Sequence, residues 1–248
     1  MNTTWLIQSE FGGLSVAAGL FTAGLALVHL FADRLQISPP QRRRWLSAAG
    51  GASVAYVFLL LLPEVSEAAA VAGSLRGEAF LAEQLLYVAA LSGFLAFYGV
   101  EVVVAQRRAE SPTDAPGVFW FHVLVFALYS AIIGFLLFHQ EVENLANLFL
   151  YALAMAFHFQ VTDYGLARHH GEEFHRVGRW ILAAGTAVGG LLGFAAEAIG
   201  LGLTVLYGFV AGAVVLNVIK EELPHVDESR FAAFVLGTLL YAGLLLVI

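Results

Sequence analysis

The sequence contains no cysteine, and charged residues make up only 12% of its 248 positions. The lack of cysteine excludes disulfide bonds, thiolate metal sites and cysteine nucleophiles. Soluble globular proteins carry about 25% charged residues, so the scarcity of charge argues against a soluble domain. With 60% apolar residues and a mean hydropathy of +0.80, the composition predicts that lipid surrounds most of the chain.

Long apolar runs fill most of the sequence. A membrane-spanning helix needs about 20 apolar residues, so a chain of this length has room for roughly eight spans with short connections. We predict an all-α membrane protein that forms a single transmembrane domain over residues 1–248. The predicted helices cover about residues 12–32, 46–62, 85–104, 118–138, 145–167, 180–200, 203–219 and 231–248. The Ala-rich stretch between the second and third helices is predicted to be an exposed loop.

Basic residues follow the odd-numbered predicted helices. Eleven of the twelve lie there, and Arg76 is the exception. Because Lys and Arg are retained on the cytoplasmic side, both termini are predicted to lie outside. The protein itself is predicted to lie in the cell (plasma) membrane. The opposite loops hold the acidic residues Glu10, Glu64, Glu67, Glu78, Glu83, Glu141 and Glu143. Either this acidic face attracts cations, or its negative charge only reflects the absence of Lys and Arg on that side.

A short motif recurs at the ends of the second and seventh predicted helices. The motifs are Leu62-Pro63-Glu64-Val65 and Leu223-Pro224-His225-Val226. Because these two helices are predicted to run in opposite directions, the motif indicates an inverted repeat in which helices one to three correspond to six to eight. Such repeats are typical of alternating-access transporters. Chance recurrence of Leu-Pro in an apolar protein is the alternative explanation.

The fifth predicted helix carries the densest set of polar residues, between His158 and Gly165. Ionisable groups in a bilayer are costly and often functional, so we interpret His158 and Asp163 as a cation or proton site. The two side chains project about 140° apart on a helix, so they cannot point along one line, but they can flank a ligand that another helix approaches. The alternative is a histidine satisfied within the bundle and an aspartate near the cytoplasmic end that reaches Arg168 or water.

Other polar residues lie within the apolar runs. Further donors along a transport path are predicted at Gln160, Thr162, Tyr129, Ser130, Glu101 and Asn217. Helix-to-helix hydrogen bonding is the alternative role for the uncharged ones. His29 and His122 are interpreted as interfacial side chains that reach towards water, and Glu197 has the same interpretation at the outer end.

The segment after the fifth helix is rich in metal-ligating residues, namely His169, His170, Glu172, Glu173 and His175. This mixture suits transient capture of Zn²⁺ or Ni²⁺ on the cytoplasmic side. A solvated loop is the alternative. The sequence has no phosphate-binding loop, Walker lysine or nucleophile elbow. A membrane zinc hydrolase is the enzyme alternative, but it needs several converging histidines and the last predicted helix contains none. We therefore expect no enzyme, and we expect no nucleic-acid partner. Gly185, Gly189, Gly190 and Gly193 allow close helix approach, either in a homodimer or within the chain.

Over nearly its whole length the chain resembles the ZIP (Zrt/Irt-like) family of divalent metal transporters. The resemblance rests on Leu60-Leu61-Leu62-Pro63-Glu64, on Gly93-Phe94 with Glu101, and on Glu221-Glu222-Leu223-Pro224. It implies eight spans, both termini outside and a three-two-three inverted repeat. It also implies a lipid environment and a divalent metal cation as the transported ligand.

The family's metal centre is only partly kept. Its His-Asn-x-x-Asp-Gly motif is matched by the stretch from Tyr129 to Gly134, which has neither histidine nor carboxylate. In the fifth helix three positions of the family pattern remain, namely His158, Asp163 and Gly165. Phe159 and Thr162 replace a glutamate and a histidine, and Leu60 replaces a histidine of the second helix. The resemblance therefore implies a transporter with a reduced site; the alternatives are a different solute or a non-transporting sensor or scaffold.

Overall fold

The structure is a computed structural model that describes residues 3–31, 38–74, 79–110, 116–139, 145–196, 201–222 and 230–247. Over these ranges the chain is helical and contains no strand. Several positions singled out in the sequence lie outside the described residues: Arg76, Glu78, Glu141, Glu143, Glu197 and Leu223-Pro224-His225-Val226. The side chains of Glu10, Glu83, Glu221 and Glu222 are also outside the description.

The α-helices of the described ranges are α1 (Thr3–Phe31), α2 (Pro39–Tyr56), α3 (Leu62–Ser74), α4 (Ala79–Glu110), α5 (Pro116–Leu136), α6 (Leu145–Glu173), α7 (Arg179–Ala195), α8 (Leu201–Asn217) and α9 (Phe231–Val247). Wider π-helical turns continue three of them: Val57–Leu61 joins α2 to α3, Phe174–Gly178 joins α6 to α7, and Val218–Glu222 follows α8. Pro63, two residues beyond the first of these turns, has no N–H to donate, which favours a local change in helix geometry there.

Six helical stretches in the described part of the chain are long and apolar enough to cross a membrane. They are Gly13–Phe31, Pro39–Ala69, Gln84–Ala109, Gly117–Leu136, Leu145–Ala195 and Gly202–Lys220. The helix α9 is apolar but shorter. Large apolar side chains such as Leu20, Phe58 and Leu191 lie exposed on the outside of the bundle, as lipid-facing residues do. The structure therefore agrees with an all-α integral membrane protein.

Three helix pairs pack in parallel: α2 with α9, α4 with α8, and α5 with α7. For each pair, two contacts show the common direction, because their residue numbers rise together from the first contact to the second. The contacts are Ser47–Arg230 and Gly51–Thr238, Leu86–Gly208 and Ala90–Gly212, and Ala127–Gly185 and Phe135–Gly193. The glycines let the backbones approach closely. Of the four glycines considered for a homodimer, three pack on α5 and Gly190 packs on Thr22 of α1, so all four serve packing within the chain.

The long apolar stretch Leu145–Ala195 reverses its direction. Helix α1 is parallel to α6, with Phe21 beside Phe149 and His29 beside Phe159. It is antiparallel to α7, with Thr22 beside Gly190 and His29 beside Thr186. The helices α6 and α7 therefore run in opposite directions, and the reversal occurs between Gly171, whose φ is 54°, and the end of the π-helical turn Phe174–Gly178. Glycine adopts this left-handed conformation without steric cost.

Two further packings are antiparallel. Helix α2 crosses α6 with Arg42 over Tyr164 and Tyr56 against Tyr151. Helix α4 packs on α5 with Phe97 against Tyr129 and Glu101 near His122. We call the end of the bundle with Arg42, Arg108 and Lys220 the basic end. The opposite end, where α6 and α8 begin, is called the far end.

The structure corrects the predicted loop between the second and third spans. Residues Leu62–Ser74 form the helix α3, and Val65 and Ala69 are buried in its contact surface. The prediction followed the glutamates Glu64 and Glu67. However, alanine has the highest helix propensity, so the Ala-rich composition favours a helix once one face is buried.

Candidate functional site

Polar side chains from several helices meet inside the apolar bundle, and His158 lies near the middle of α6. The phenolic oxygen of Tyr129 in α5 lies 2.9 Å from Nε2 of His158. Both side chains are only 1% exposed. A hydroxyl and an imidazole satisfy each other without a net charge, so this contact joins α5 and α6 at low electrostatic cost.

Asp163 lies on another face of α6 and does not join His158. Its carboxylate oxygens lie 2.9 and 3.0 Å from Nδ1 of His29 in α1. The other ring nitrogen of His29 lies 3.1 Å from the hydroxyl of Thr186 in α7. All three side chains are buried. The interpretation of His29 as an interfacial residue is wrong, because Asp163 and Thr186 satisfy it inside the bundle; Asp163 likewise pairs with His29 rather than reaching Arg168.

Several buried polar atoms have no hydrogen-bond partner in the described part of the chain. Among them are the hydroxyls of Thr162 and Ser53 and both polar side-chain atoms of Asn217. Asn217 is 0% exposed, and Thr162 lies one helical turn from His158 on the same face of α6. An unsatisfied buried polar group costs about 1–3 kcal/mol, and such groups are usually met by water or a ligand.

These atoms belong to helices that are in contact. Helix α2 packs on α6, and the π-helical turn that begins directly after Asn217 touches both. The structure thus gives three adjoining helices polar groups without protein partners. By contrast, the hydroxyl of Ser130 donates to the carbonyl of Phe126 in its own helix, at 2.9 Å, and is satisfied there. Gln160 is half-buried on the same helix as Thr162.

A second polar assembly, the basic-end chain, consists of Lys220, Glu101, His122, His170, Arg108 and His169. Glu101 forms an ion pair with Lys220 and lies 3.6 Å from Nε2 of His122. Nδ1 of His122 lies 3.0 Å from Nε2 of His170, and the guanidinium of Arg108 donates to the carbonyl of His169 at 2.7 Å. His122 is therefore buried among protein groups, and its interpretation as an interfacial residue is also wrong.

The segment considered for metal capture includes the kink at Gly171, where the chain reverses its direction, and the residues on both sides of the kink are helical. His169 and His170 contact Arg108, whereas Glu172 and Glu173 are exposed. Glu172 and His175 line a shallow depression of about 480 Å³ together with Gly171 and Arg176. The positive charge of Arg176 works against a cation there. Over the described ranges, no three His, Asp or Glu side chains are grouped so that they could hold a metal ion.

A cluster at the far end was missed by the sequence reasoning. Tyr207 of α8 donates to a carboxylate oxygen of Glu64 at 2.6 Å. The rings of Tyr151 and Tyr241 both pack against Tyr56, with centroids 6.2 and 6.5 Å apart. The only signal in the sequence was that each tyrosine interrupts an apolar run, and nothing in their spacing indicated that four helices bring them together.

No family model and no curated protein matches this chain. Its function therefore has to be argued from its own residues and their geometry.

Proposed function

We propose that the protein is a ZIP-like transporter that moves a divalent metal cation, zinc or a related ion, across the cell membrane by alternating access. The observation that carries the proposal is a set of buried polar groups without hydrogen-bond partners in the described part of the chain. They include Thr162, one helical turn from His158, and Asn217, whose following π-helical turn touches α6. Polar groups in the interior of a membrane bundle are costly and typically mark a path for a solute. The cation is the transported substrate.

The helix directions support eight spans. Each of the eight predicted apolar segments coincides over most of its length with a described helix, or with a helix and its π-helical turn, and successive segments alternate in direction. The reversal between α6 and α7 divides the longest apolar stretch into two crossings. Helix α9 has 17 residues, which gives about 25 Å at 1.5 Å per residue, close to the thickness of the hydrocarbon core. With the basic end in the cytoplasm, both termini lie outside.

Reciprocal glycine contacts support the inverted repeat. The contacts are Gly51 with Phe234 and Gly237 with Ala48 for α2 and α9, and Gly212 with Ala90 and Gly93 with Phe209 for α8 and α4. Gly51 and Gly212 each precede the proline of the repeated motif by twelve residues, and Ala48 and Phe209 each precede it by fifteen. A π-helical turn also precedes both Leu-Pro motifs. When the first and second halves of the repeat are exchanged, the pair of α2 and α9 therefore corresponds to the pair of α8 and α4.

The path itself is proposed to lie between α2, α5, α6 and α8. His158 supplies an imidazole nitrogen, while Thr162 and Asn217 supply neutral oxygens. Zn²⁺ ordinarily takes about four ligands, so the cation keeps water molecules as part of its coordination. Asp163 stays a predicted ligand that would first have to leave His29, and Glu101 is held by Lys220. Tyr129 positions His158 through their hydrogen bond.

Uptake of metal ions into proteoliposomes tests the proposal. We expect uptake of Zn²⁺ or Mn²⁺ by the wild type and a loss of about tenfold or more in the double variant His158→Ala, Asn217→Ala. The matched control is Ser130→Ala, because that hydroxyl is satisfied within its own helix, and it should transport normally. Normal uptake by the double variant, with thermal unfolding unchanged, would remove both residues from the path.

A non-transporting sensor or scaffold is the second candidate. It is favoured by one observation: in the described part of the chain, the carboxylates predicted as ligands are already paired with cationic or imidazole groups. Wild-type protein that is folded in liposomes but gives no flux with any of several divalent cations would support this candidate over the transporter.

A further inference from the structure

The far-end cluster consists of Glu64, Tyr56, Tyr151, Tyr207 and Tyr241. The side chains come from α3, α2, α6, α8 and α9, so five helices each contribute one group. Beyond the bond from Tyr207 to Glu64, the hydroxyl of Tyr241 donates to the carbonyl of Leu150 at 3.0 Å. Three of the rings are almost fully buried, at 1–3% exposure. The cluster is therefore tightly packed, and hydrogen bonds hold two of its hydroxyls in place.

The charge of this cluster is not balanced by the described residues. The half-buried carboxylate of Glu64 interacts electrostatically with the phenols of all four tyrosines and with Glu67, one turn further along α3. No basic side chain within the described ranges forms an ion pair with it. Phenols donate hydrogen bonds but carry no compensating positive charge, and a partly buried carboxylate without a counter-ion is unfavourable.

A second observation points to a ligand. The hydroxyl of Tyr151 is buried and has no hydrogen-bond partner in the described part of the chain, although it interacts electrostatically with Glu64. At the basic end, by contrast, the carboxylate of Glu101 contacts Lys220 and His122. Among the described residues, the far-end cluster thus has a carboxylate without a cationic partner and a buried hydroxyl without a hydrogen-bond partner.

We propose that the far-end cluster is a binding site for a hard metal cation, such as Ca²⁺, Mg²⁺ or Mn²⁺. The donors are the carboxylate of Glu64 and phenolic oxygens, and Glu67 adds negative charge at the rim. A donor set made only of oxygen suits hard cations, which also keep water molecules to complete their coordination. The cluster has no imidazole or sulfur donor, which distinguishes it from the proposed path at His158. Binding here does not rest on the proposed transport function.

Terbium luminescence tests this site directly, because Tb³⁺ is a hard cation and nearby tyrosines sensitise its emission. With purified protein in detergent and excitation of tyrosine, we expect saturable emission. The apparent affinity for Tb³⁺ should fall about tenfold or more in the variant Glu64→Gln, because that change removes the central carboxylate. Tyr151→Phe should weaken it less. The control Glu172→Gln removes an exposed carboxylate at the basic end and should leave the saturable emission unchanged.

Competition and a path variant complete the experiment. Ca²⁺ or Mn²⁺ should displace Tb³⁺, and tetramethylammonium should not, because it has no demand for oxygen ligands. His158→Ala should bind Tb³⁺ as the wild type does even if its transport is lost, which separates this site from the path. Equal emission from folded Glu64→Gln and wild type, or displacement by tetramethylammonium instead of Ca²⁺, would overturn the proposal.

Discussion

The two ends of the bundle treat their buried carboxylates differently. Towards the basic end, Glu101 contacts Lys220 and His122, and Asp163 contacts His29. At the far end, Glu64 is bonded to the neutral hydroxyl of Tyr207. The comparison distinguishes a structural role from a binding role. A carboxylate that is already paired with a cationic or imidazole group holds helices together, whereas one surrounded by phenols is available to a cation from outside.

Substitutions at the two ends should therefore change the free energy of unfolding by different amounts. A buried ion pair contributes little net stability when it is formed, but removal of one member leaves a desolvated charge without a partner. The basic end should therefore be sensitive to single substitutions that break a pair. The far end should tolerate the loss of its carboxylate as long as no cation is bound.

The largest effect is expected for His29→Leu. This change leaves Asp163 buried without its imidazole, and Thr186 also loses a contact. We expect the free energy of unfolding to fall by about 3–5 kcal/mol, the usual cost of breaking a buried charged pair. Thermal or denaturant unfolding in detergent measures it.

The double variant His29→Leu, Asp163→Leu is the control for that measurement. It removes both members, so most of the lost stability should return. If the single and double variants are equally unstable, the loss comes from packing around His29 and not from the orphaned carboxylate.

A smaller effect is expected for Glu101→Gln. The side chain of Lys220 is 36% exposed, so its ammonium group reaches water once the carboxylate is gone. We expect a loss of about 1–2 kcal/mol, measured by the same unfolding experiment. Adding Lys220→Met to Glu101→Gln should recover part of this loss. A loss as large as that of His29→Leu would contradict the view that Lys220 relaxes into water.

Much of the fold follows from the sequence, because apolar runs and basic flanks are local properties. The angle between His158 and Asp163 follows from helix geometry, and the structure does place them against different helices. Their partners could not be predicted. Asp163 meets His29 from 134 positions away, and that pairing depends on how α1 and α6 are aligned. The far-end cluster depends on the alignment of five helices and has no local signature.

The smallest effect is expected for Glu64→Gln in the absence of added cation. The amide still accepts the hydrogen bond of Tyr207, so only the difference between a charged and a neutral acceptor is lost, about 0.5–1 kcal/mol.

Addition of Ca²⁺ should distinguish the wild type from the variant Glu64→Gln. At about 100 times its dissociation constant, a ligand that binds only the folded state adds roughly 2.7 kcal/mol, and the wild type alone should gain it. Unfolding with and without Ca²⁺ measures both quantities, with Glu172→Gln as the matched control. If the variant gains as much as the wild type, Glu64 does not hold the cation, and the two ends of the bundle do not differ in the way described.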